Sequence, residues 1–473
     1  MKPTVRTTLP TLALAALLTG TGGATAPDPG PAGEARGRTA AEAPRTEAGP
    51  ARIDYDVGLR SDGRGARWSG REAVTFTNTA GTPLHEVYLR LWGNAGDGCG
   101  SREEPPPVEV GRIEGGEPGG LSVGCTALRI DLAEPLPHGG RTTLAFDVTI
   151  AVPDQAERFG RHGPYSFLGN AVPVLAVRDR DQGWHLDPDV GFGESYYTLA
   201  ADFRVRLNHP SALKVPATGT PSDRPGDRGR TVTTSTALQA RDFAWAAGPF
   251  RTATEFSSRG VRVNSFWTAG TPASDAEEAR RDARAAMDDF GERFGRYPDG
   301  EVDLVLHEGF DTTSGNMEYP GFVLLRSEEK AEATVHELAH QWWYGIVGND
   351  QFGAPWLDEA FAVYADDLFR GHERRDCRSG SEQQREEAWI TRTMGNWARS
   401  GGSWKAAAYV GGACALHDLE REIGRPAMAE LLRQYARDHW HGVSTTADFR
   451  AAAQDAAGAG KDLGSFWRKH GIR

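Results

Sequence analysis

Three residues in one five-residue stretch, His336-Glu337-Leu338-Ala339-His340, have the types and spacing to hold and use a divalent metal ion. Histidines four residues apart on a helix lie one turn apart with their rings on one face, so both imidazoles reach a single ion at about 2 Å. The intervening Glu337 is rotated around the helix and falls beside the ion. From there it can take a proton from an attacking water and later pass it to a leaving amine, which makes it the candidate general base and acid. A catalytic zinc site needs one more protein ligand and one open position. Glu359 stands eighteen residues beyond His340, inside Trp356-Leu357-Asp358-Glu359-Ala360-Phe361-Ala362. It supplies that ligand if the first helix ends, the chain turns, and a second helix brings the carboxylate back. The bland alternative is an amphipathic helix with two surface histidines. The placement of Glu359 and the aromatic run Gln341-Trp342-Trp343-Tyr344-Gly345 argue against it.

Two further motifs accompany this one. Upstream is Gly315-Asn316-Met317-Glu318-Tyr319, and downstream is Tyr409-Val410-Gly411-Gly412-Ala413. Together with HELAHQWW and the glutamate of WLDEAFA they resemble the M1 family of zinc aminopeptidases, gluzincins with a thermolysin-like catalytic domain. The resemblance implies one zinc ion per chain held by His336, His340 and Glu359, with Glu337 and Tyr409 catalytic. It implies that the loop of Gly315, Asn316, Met317 and Glu318 binds substrate, its backbone pairing with the peptide like an added strand and Glu318 holding the free amino group. Tyr409 takes the place of the family tyrosine whose hydroxyl donates to the oxyanion. Two positions depart from the family pattern, with Tyr319 where asparagine is usual and Gly411 where lysine is usual. Residue by residue, plain readings compete: Glu318 as a solvated loop carboxylate, and Tyr409 as a core aromatic on a helix with Ala413, Ala415 and Leu416. His185, His307 and His417 are read as structural or surface residues, since the site already has three ligands.

The elements that must carry these residues change character halfway along the chain. From Asp54 to about Phe250 apolar residues alternate, as in Val87, Leu89 and Leu91, in Leu144, Phe146, Val148 and Ile150, and in Phe203, Val205 and Leu207. That period predicts antiparallel strands and a β-sandwich or saddle-like domain over 51–252. Val261 to Trp267 reads as a strand. Ser274-Asp275-Ala276-Glu277 reads as a capping box opening a helix with Ala279, Ala283, Met287, Phe290 and Phe294 on one face. Val302, Leu304 and Leu306, then Phe322 to Leu325, read as two more strands, and everything from Glu329 onward as helical. The fold class is therefore α+β, with a mainly helical thermolysin-like domain over 253–473 and no internal repeats. The chain ends where such a domain is expected to finish, without the helical cap of larger family members. Asn170, in Leu168-Gly169-Asn170-Ala171-Val172-Pro173, is a candidate helper in holding the substrate amine.

Lys2 and Arg6 followed by the apolar stretch Leu9 to Leu18 and the small residues to Ala26 read as an export signal over 1–26. About ten apolar residues are too few for a bilayer, which needs about 20. The Gly-, Pro- and Ala-rich stretch 27–50 reads as a disordered linker. Cys99 with Cys125 and Cys377 with Cys414 would form two local disulfides suited to export, although three pairings are open. A net charge of −12 without a basic patch makes nucleic acid and anionic membranes poor partners. The expectation is a secreted zinc metallopeptidase acting on peptides or proteins, specifically an aminopeptidase. The alternatives are an endopeptidase of the same chemistry and a catalytically silent peptide-binding protein.

Overall fold

A computed structural model describes residues 49–473, except 97–98, 100–104, 180–181, 310–315, 374–388 and 402. The expected export signal, almost all of the linker, Gly315 and Cys377 lie outside the described residues. In the first half the alternating segments form two sheets that share one apolar core. The larger sheet has the strand order Thr220–Pro225, Arg230–Ala240, Ala201–Pro210, Ala51–Ser61, Arg67–Thr77, Arg141–Ala151 and Val108–Glu114. The smaller runs Val174–Leu175, Leu84–Arg90, Ala127–Leu136 and Gly116–Ser122. Val57, Val74, Phe146, Ile150, Val205 and Leu207 from the first meet Val87, Leu89 and Ile130 from the second in that core. This is what period-two alternation predicts when one face of each sheet is covered. Cys99 is bonded to Cys125 with their Cα atoms 5.3 Å apart.

One carboxyl interrupts the apolar face. Glu72 pairs in register with Val57 on one side and Phe146 on the other, is fully buried, and neither of its oxygens has a hydrogen-bond partner. Burial drives its pKa well above the ordinary carboxylate value, so the neutral acid is the favoured folded form. With a folded pKa above the unfolded one of about 4.3, the stability due to this protonation is fully present below the unfolded value. It is lost as pH rises through the folded value. Glu72→Leu is therefore expected to stabilise the protein by about 1–3 kcal/mol near neutral pH, and by less at about pH 4. Thermal unfolding of both proteins at the two pH values checks this, and an equal gain at both would refute the linkage.

The second half opens with a four-stranded sheet, Arg251–Phe256, Arg262–Trp267, Glu301–His307 and Phe322–Arg326, the first pair antiparallel and the others parallel. Glu301–His307 has parallel neighbours on both sides and is buried at every position, as strands covered on both faces are. The helix Ala273–Arg293 buries Ala279, Ala283, Met287 and Phe290 as its period requires. Its expected capping box does not form. The helix starts behind Pro272 with no side-chain cap, because Ser274 lies inside the first turn and its hydroxyl donates to the neighbouring Asp275 Oδ1 at 3.4 Å.

A second correction concerns the segment after the histidines. The histidine helix, Lys330–Ala339, ends inside the motif, and 340–355 consists of turns and isolated bridges rather than helix. The carbonyls that a continuing helix would use are taken by a side chain from the other half of the chain. Arg241, almost fully buried, donates from Nε to Tyr344 O at 2.6 Å and from Nη2 to Ile346 O at 3.4 Å. It also donates to Thr198 O and Gly442 O. Gly348 makes this fit possible, since a Cβ there would lie 2.0 Å from the guanidinium carbon. The chain then enters the glutamate helix, Trp356–Arg370, which closes on a left-handed Gly371.

Candidate active site

The histidine helix and the glutamate helix bring the three expected ligands together. His336 Nε2 and His340 Nε2 are 3.2 Å apart, and they lie 3.3 and 3.4 Å from Glu359 Oε2. His340 Nδ1 donates to the carbonyl of Trp343 at 3.0 Å, which leaves the Nε2 lone pair directed at the other two atoms. Glu359 Oε2 is buried and has no hydrogen-bond partner. Two imidazole nitrogens and one carboxylate oxygen thus converge on one point, an arrangement suited to a cation. Tetrahedral ligands about 2.0–2.1 Å from one ion stand roughly 3.3 Å from each other. The spacing and the two-nitrogen, one-oxygen donor set therefore fit zinc, with a position left over for substrate or water.

Glu337 projects from the same helix and is buried. Glu318, Glu337 and His340 each bring an atom to within 4.8 Å of the other two, so the motif loop reaches the metal donors. Glu318 is held from two directions. Gln351 Nε2 donates to its Oε1 at 3.2 Å and to Asp358 Oδ2 at 2.9 Å. Gln341 Nε2 donates to the carbonyls of Glu318 and Tyr319, both at 3.3 Å. Of the preceding residues, Asn316 and Met317 are described. Met317 exchanges both backbone hydrogen bonds with Leu324, so its backbone extends the protein's own sheet and is not open to a peptide. Asn316 spends its side chain on Glu329 and on the Arg326 amide, both at 2.8 Å.

Tyr409 lies on a single π-helical turn, Ala406–Gly411, that runs into the helix Gly412–Ile423. Turns of this kind inside α-helices are frequent at functional sites. Its hydroxyl donates to Glu359 Oε1 at 2.5 Å, and its ring stacks on His336 with centroids 5.8 Å apart. Gly412 permits this approach, since a Cβ there would sit 2.4 Å from Ala360 Cβ on the glutamate helix. Trp404 packs edge-on against Tyr409 at 5.2 Å and meets Phe192 at 6.1 Å.

Phe192 belongs to a part of the site that sequence reasoning missed. Glu194, from the β half, pairs with Arg158 Nη1 at 2.9 Å, and the same guanidinium nitrogen contacts Met317 Sδ at 3.1 Å. Burial and then the neighbouring Glu318 raise the Glu194 carboxyl to about 7. Burial, with Glu318 again the next contribution, also raises Glu337 well above the usual range. The carboxylates of the cleft therefore destabilise one another's charge, and bound cations relieve them. Gly193 lets the chain approach here: its φ is +61°, and a Cβ there would lie 2.7 Å from Met394 Cε and 2.8 Å from Trp404. Asn170 is placed deeper than expected. It accepts from Tyr319 OH at 3.0 Å and donates to Asp242 at 3.3 Å, so it supports the motif loop from behind. Among the other histidines, His185 pairs with Asp179 at 2.5 Å and His417 with Asp367 at 3.1 Å, both away from the metal donors, as structural roles require.

Two histidines one turn apart, a glutamate returning on the next helix, and a buried acid between the histidines, behind a mostly parallel sheet, form a site fitted to hold zinc beside a general base. Residues 282–470 match the family model described as the peptidase family M1 domain. The chain is 24% identical over 455 residues to Aminopeptidase M1-B of Oryza sativa subsp. japonica, covering 88% of this chain and 49% of that one. It is 24% identical over 229 residues to Aminopeptidase N of Streptomyces lividans, covering 41% of this chain and 26% of that one. It thus spans about half the length, or less, of these curated relatives. In fold it is similar to an M1 zinc metallopeptidase from Deinococcus radiodurans, with a TM-score of 0.62, 18% identity, and coverage of 89% of this chain and 92% of that one.

Proposed function

We propose that this chain is an exported zinc aminopeptidase that releases amino-terminal residues from peptides. The observation that carries the exopeptidase reading is the placement of Glu318 beside the metal donors, with Glu194 next to it. A buried carboxylate and a half-buried one side by side next to the metal donors favour a substrate ammonium over a continuing peptide chain. His336, His340 and Glu359 would hold zinc, which supplies Lewis-acid polarisation of the scissile carbonyl when bound. Glu337 takes the proton of the attacking water and returns it to the leaving amine. Tyr409, one hydrogen bond away on Glu359, is the donor available to the developing oxyanion. Export is supported by the basic-apolar start of the sequence and by the Cys99–Cys125 disulfide, a bond that persists in oxidising compartments. Among the described residues no helix is long and apolar enough to cross a membrane.

A panel of aminoacyl fluorogenic substrates, with and without a chelator, tests the reading. Free-amine substrates are expected to be cleaved in a chelator-sensitive manner. Glu318→Ala is expected to lose roughly 10- to 150-fold in kcat/KM while retaining zinc, since a hydrogen bond to a charged group contributes about 1.5–3 kcal/mol. Acetylating the substrate amine should cost the wild type a comparable factor. Rapid internal cleavage of acetylated peptides would identify an endopeptidase instead.

A further inference from the structure

Tyr319, where the motif usually has asparagine, is fully buried and reaches across to the β half of the chain. Its hydroxyl donates to Asn170 Oδ1 at 3.0 Å, and Asn170 Nδ2 donates to Asp242 Oδ2 at 3.3 Å. Tyr344 OH donates to the same Asp242 oxygen at 2.9 Å. This chain of buried polar groups ties four segments together: the Glu318 loop, the Gly169-Asn170 turn, the Arg241-Asp242 segment, and the segment that follows the zinc-binding histidines. Its geometry is specific to a tyrosine. A Cβ on Gly169 would lie 1.9 Å from the Tyr319 hydroxyl oxygen, 2.4 Å from Cζ and 2.9 Å from Cε2. The phenol therefore occupies space that only glycine leaves open. Asn170 holds a left-handed conformation with φ of +52°, uncommon for a side-chain-bearing residue and most tolerated by asparagine and aspartate. The Gly169 amide in turn donates to the Arg158 carbonyl at 3.0 Å, and Arg158 is the partner of Glu194.

We infer that Tyr319 is a positioning residue whose ring, seated in the Gly169 notch and tied through Asn170 to Asp242, fixes where Glu318 holds the substrate ammonium. Gln341 grips the Glu318-Tyr319 backbone from the catalytic side, and Tyr319 grips it from the β side. Glu318 is left with little freedom to follow a misplaced amine. The inference rests on the aminopeptidase reading of Glu318. It also makes residues 169 and 319 a size-matched pair: an asparagine at 319 is too short to fill the notch, and an alanine at 169 is too large to leave it.

The test compares Gly169→Ala, Tyr319→Phe, Tyr319→Asn and the double variant Gly169→Ala/Tyr319→Asn on free-amine aminoacyl substrates, with zinc content and thermal midpoint measured alongside. Displacing an anchor used equally by substrate and transition state raises KM more than it lowers kcat. Gly169→Ala is expected to raise KM about 10-fold or more with kcat within about 3-fold and zinc unchanged. Adding Tyr319→Asn should bring KM back towards the Tyr319→Asn value, because the clash is gone. Tyr319→Phe introduces no clash and carries the test if Gly169→Ala fails to fold, with a KM rise of several-fold expected. An unchanged KM in Tyr319→Phe, or a double variant no better than Gly169→Ala alone, overturns the inference while leaving the aminopeptidase reading in place. A wild type that does not turn over free-amine substrates overturns both.

Discussion

Glu337→Gln is expected to lower kcat by about 10²–10⁴-fold, the range that positioned acid–base catalysis contributes, while the protein stays folded and keeps its zinc. The amide has the shape of the carboxylate but cannot accept the proton of the attacking water. Glu337 projects from the histidine helix without being one of the three atoms spaced for tetrahedral coordination, so its removal leaves the donor set whole. The cleft also loses one of its mutually repelling carboxyls, which lightens the burden on Glu318 and Glu194. Substrate binding is accordingly expected to change far less than turnover. Steady-state kinetics with metal analysis of the purified variant check this. Zinc loss in Glu337→Gln would make the residue a ligand or its essential support.

The second large effect is on the metal itself. Glu359→Ala removes one of three protein ligands and is expected to abolish activity and empty the site at zinc concentrations that saturate the wild type. Its affinity loss should exceed the 10–100-fold typical of losing an outer hydrogen-bond partner. Tyr409→Phe supplies that internal comparison, because it removes only the hydrogen bond to Glu359 Oε1. Zinc titration of the two variants against the wild type separates a ligand from its support. Full occupancy in Glu359→Ala would break the ligand assignment.

The metal donor set could be read from the chain because its geometry is mostly local. An i, i+4 histidine pair needs only one helical turn, and Glu359 needs only a second helix packed against the first. The β half was equally legible, since each strand in a sheet with one covered face repeats its burial every two residues, as Arg141–Ala151 does. Local signals failed where a distant side chain supplied the deciding contact. Arg241 stands 103 residues from the Tyr344 carbonyl it takes, and nothing within 340–355 announces that its hydrogen bonds go to another half of the chain.

By itself, then, the order of residues determined the chemistry available: two imidazoles and a carboxylate for zinc, an acid between them, a further carboxylate in the upstream motif, and the switch from period two to helical period along the chain. Only the tertiary structure decided how those groups are aimed. It placed Glu194 and Arg158 of the β half against the motif loop, which no spacing within either segment encodes. It drew the Tyr409 helix onto Glu359 across Gly412 through a π-helical turn that its alanines and glycines do not signal. It also set Tyr319 in the space above Gly169, making a replaced motif residue part of the wall behind the site. The physical reason is common to all three. Hydrophobic periodicity specifies which face of an element is covered, whereas polar groups a hundred residues apart find their partners only once those faces have packed and burial makes an unpaired group costly.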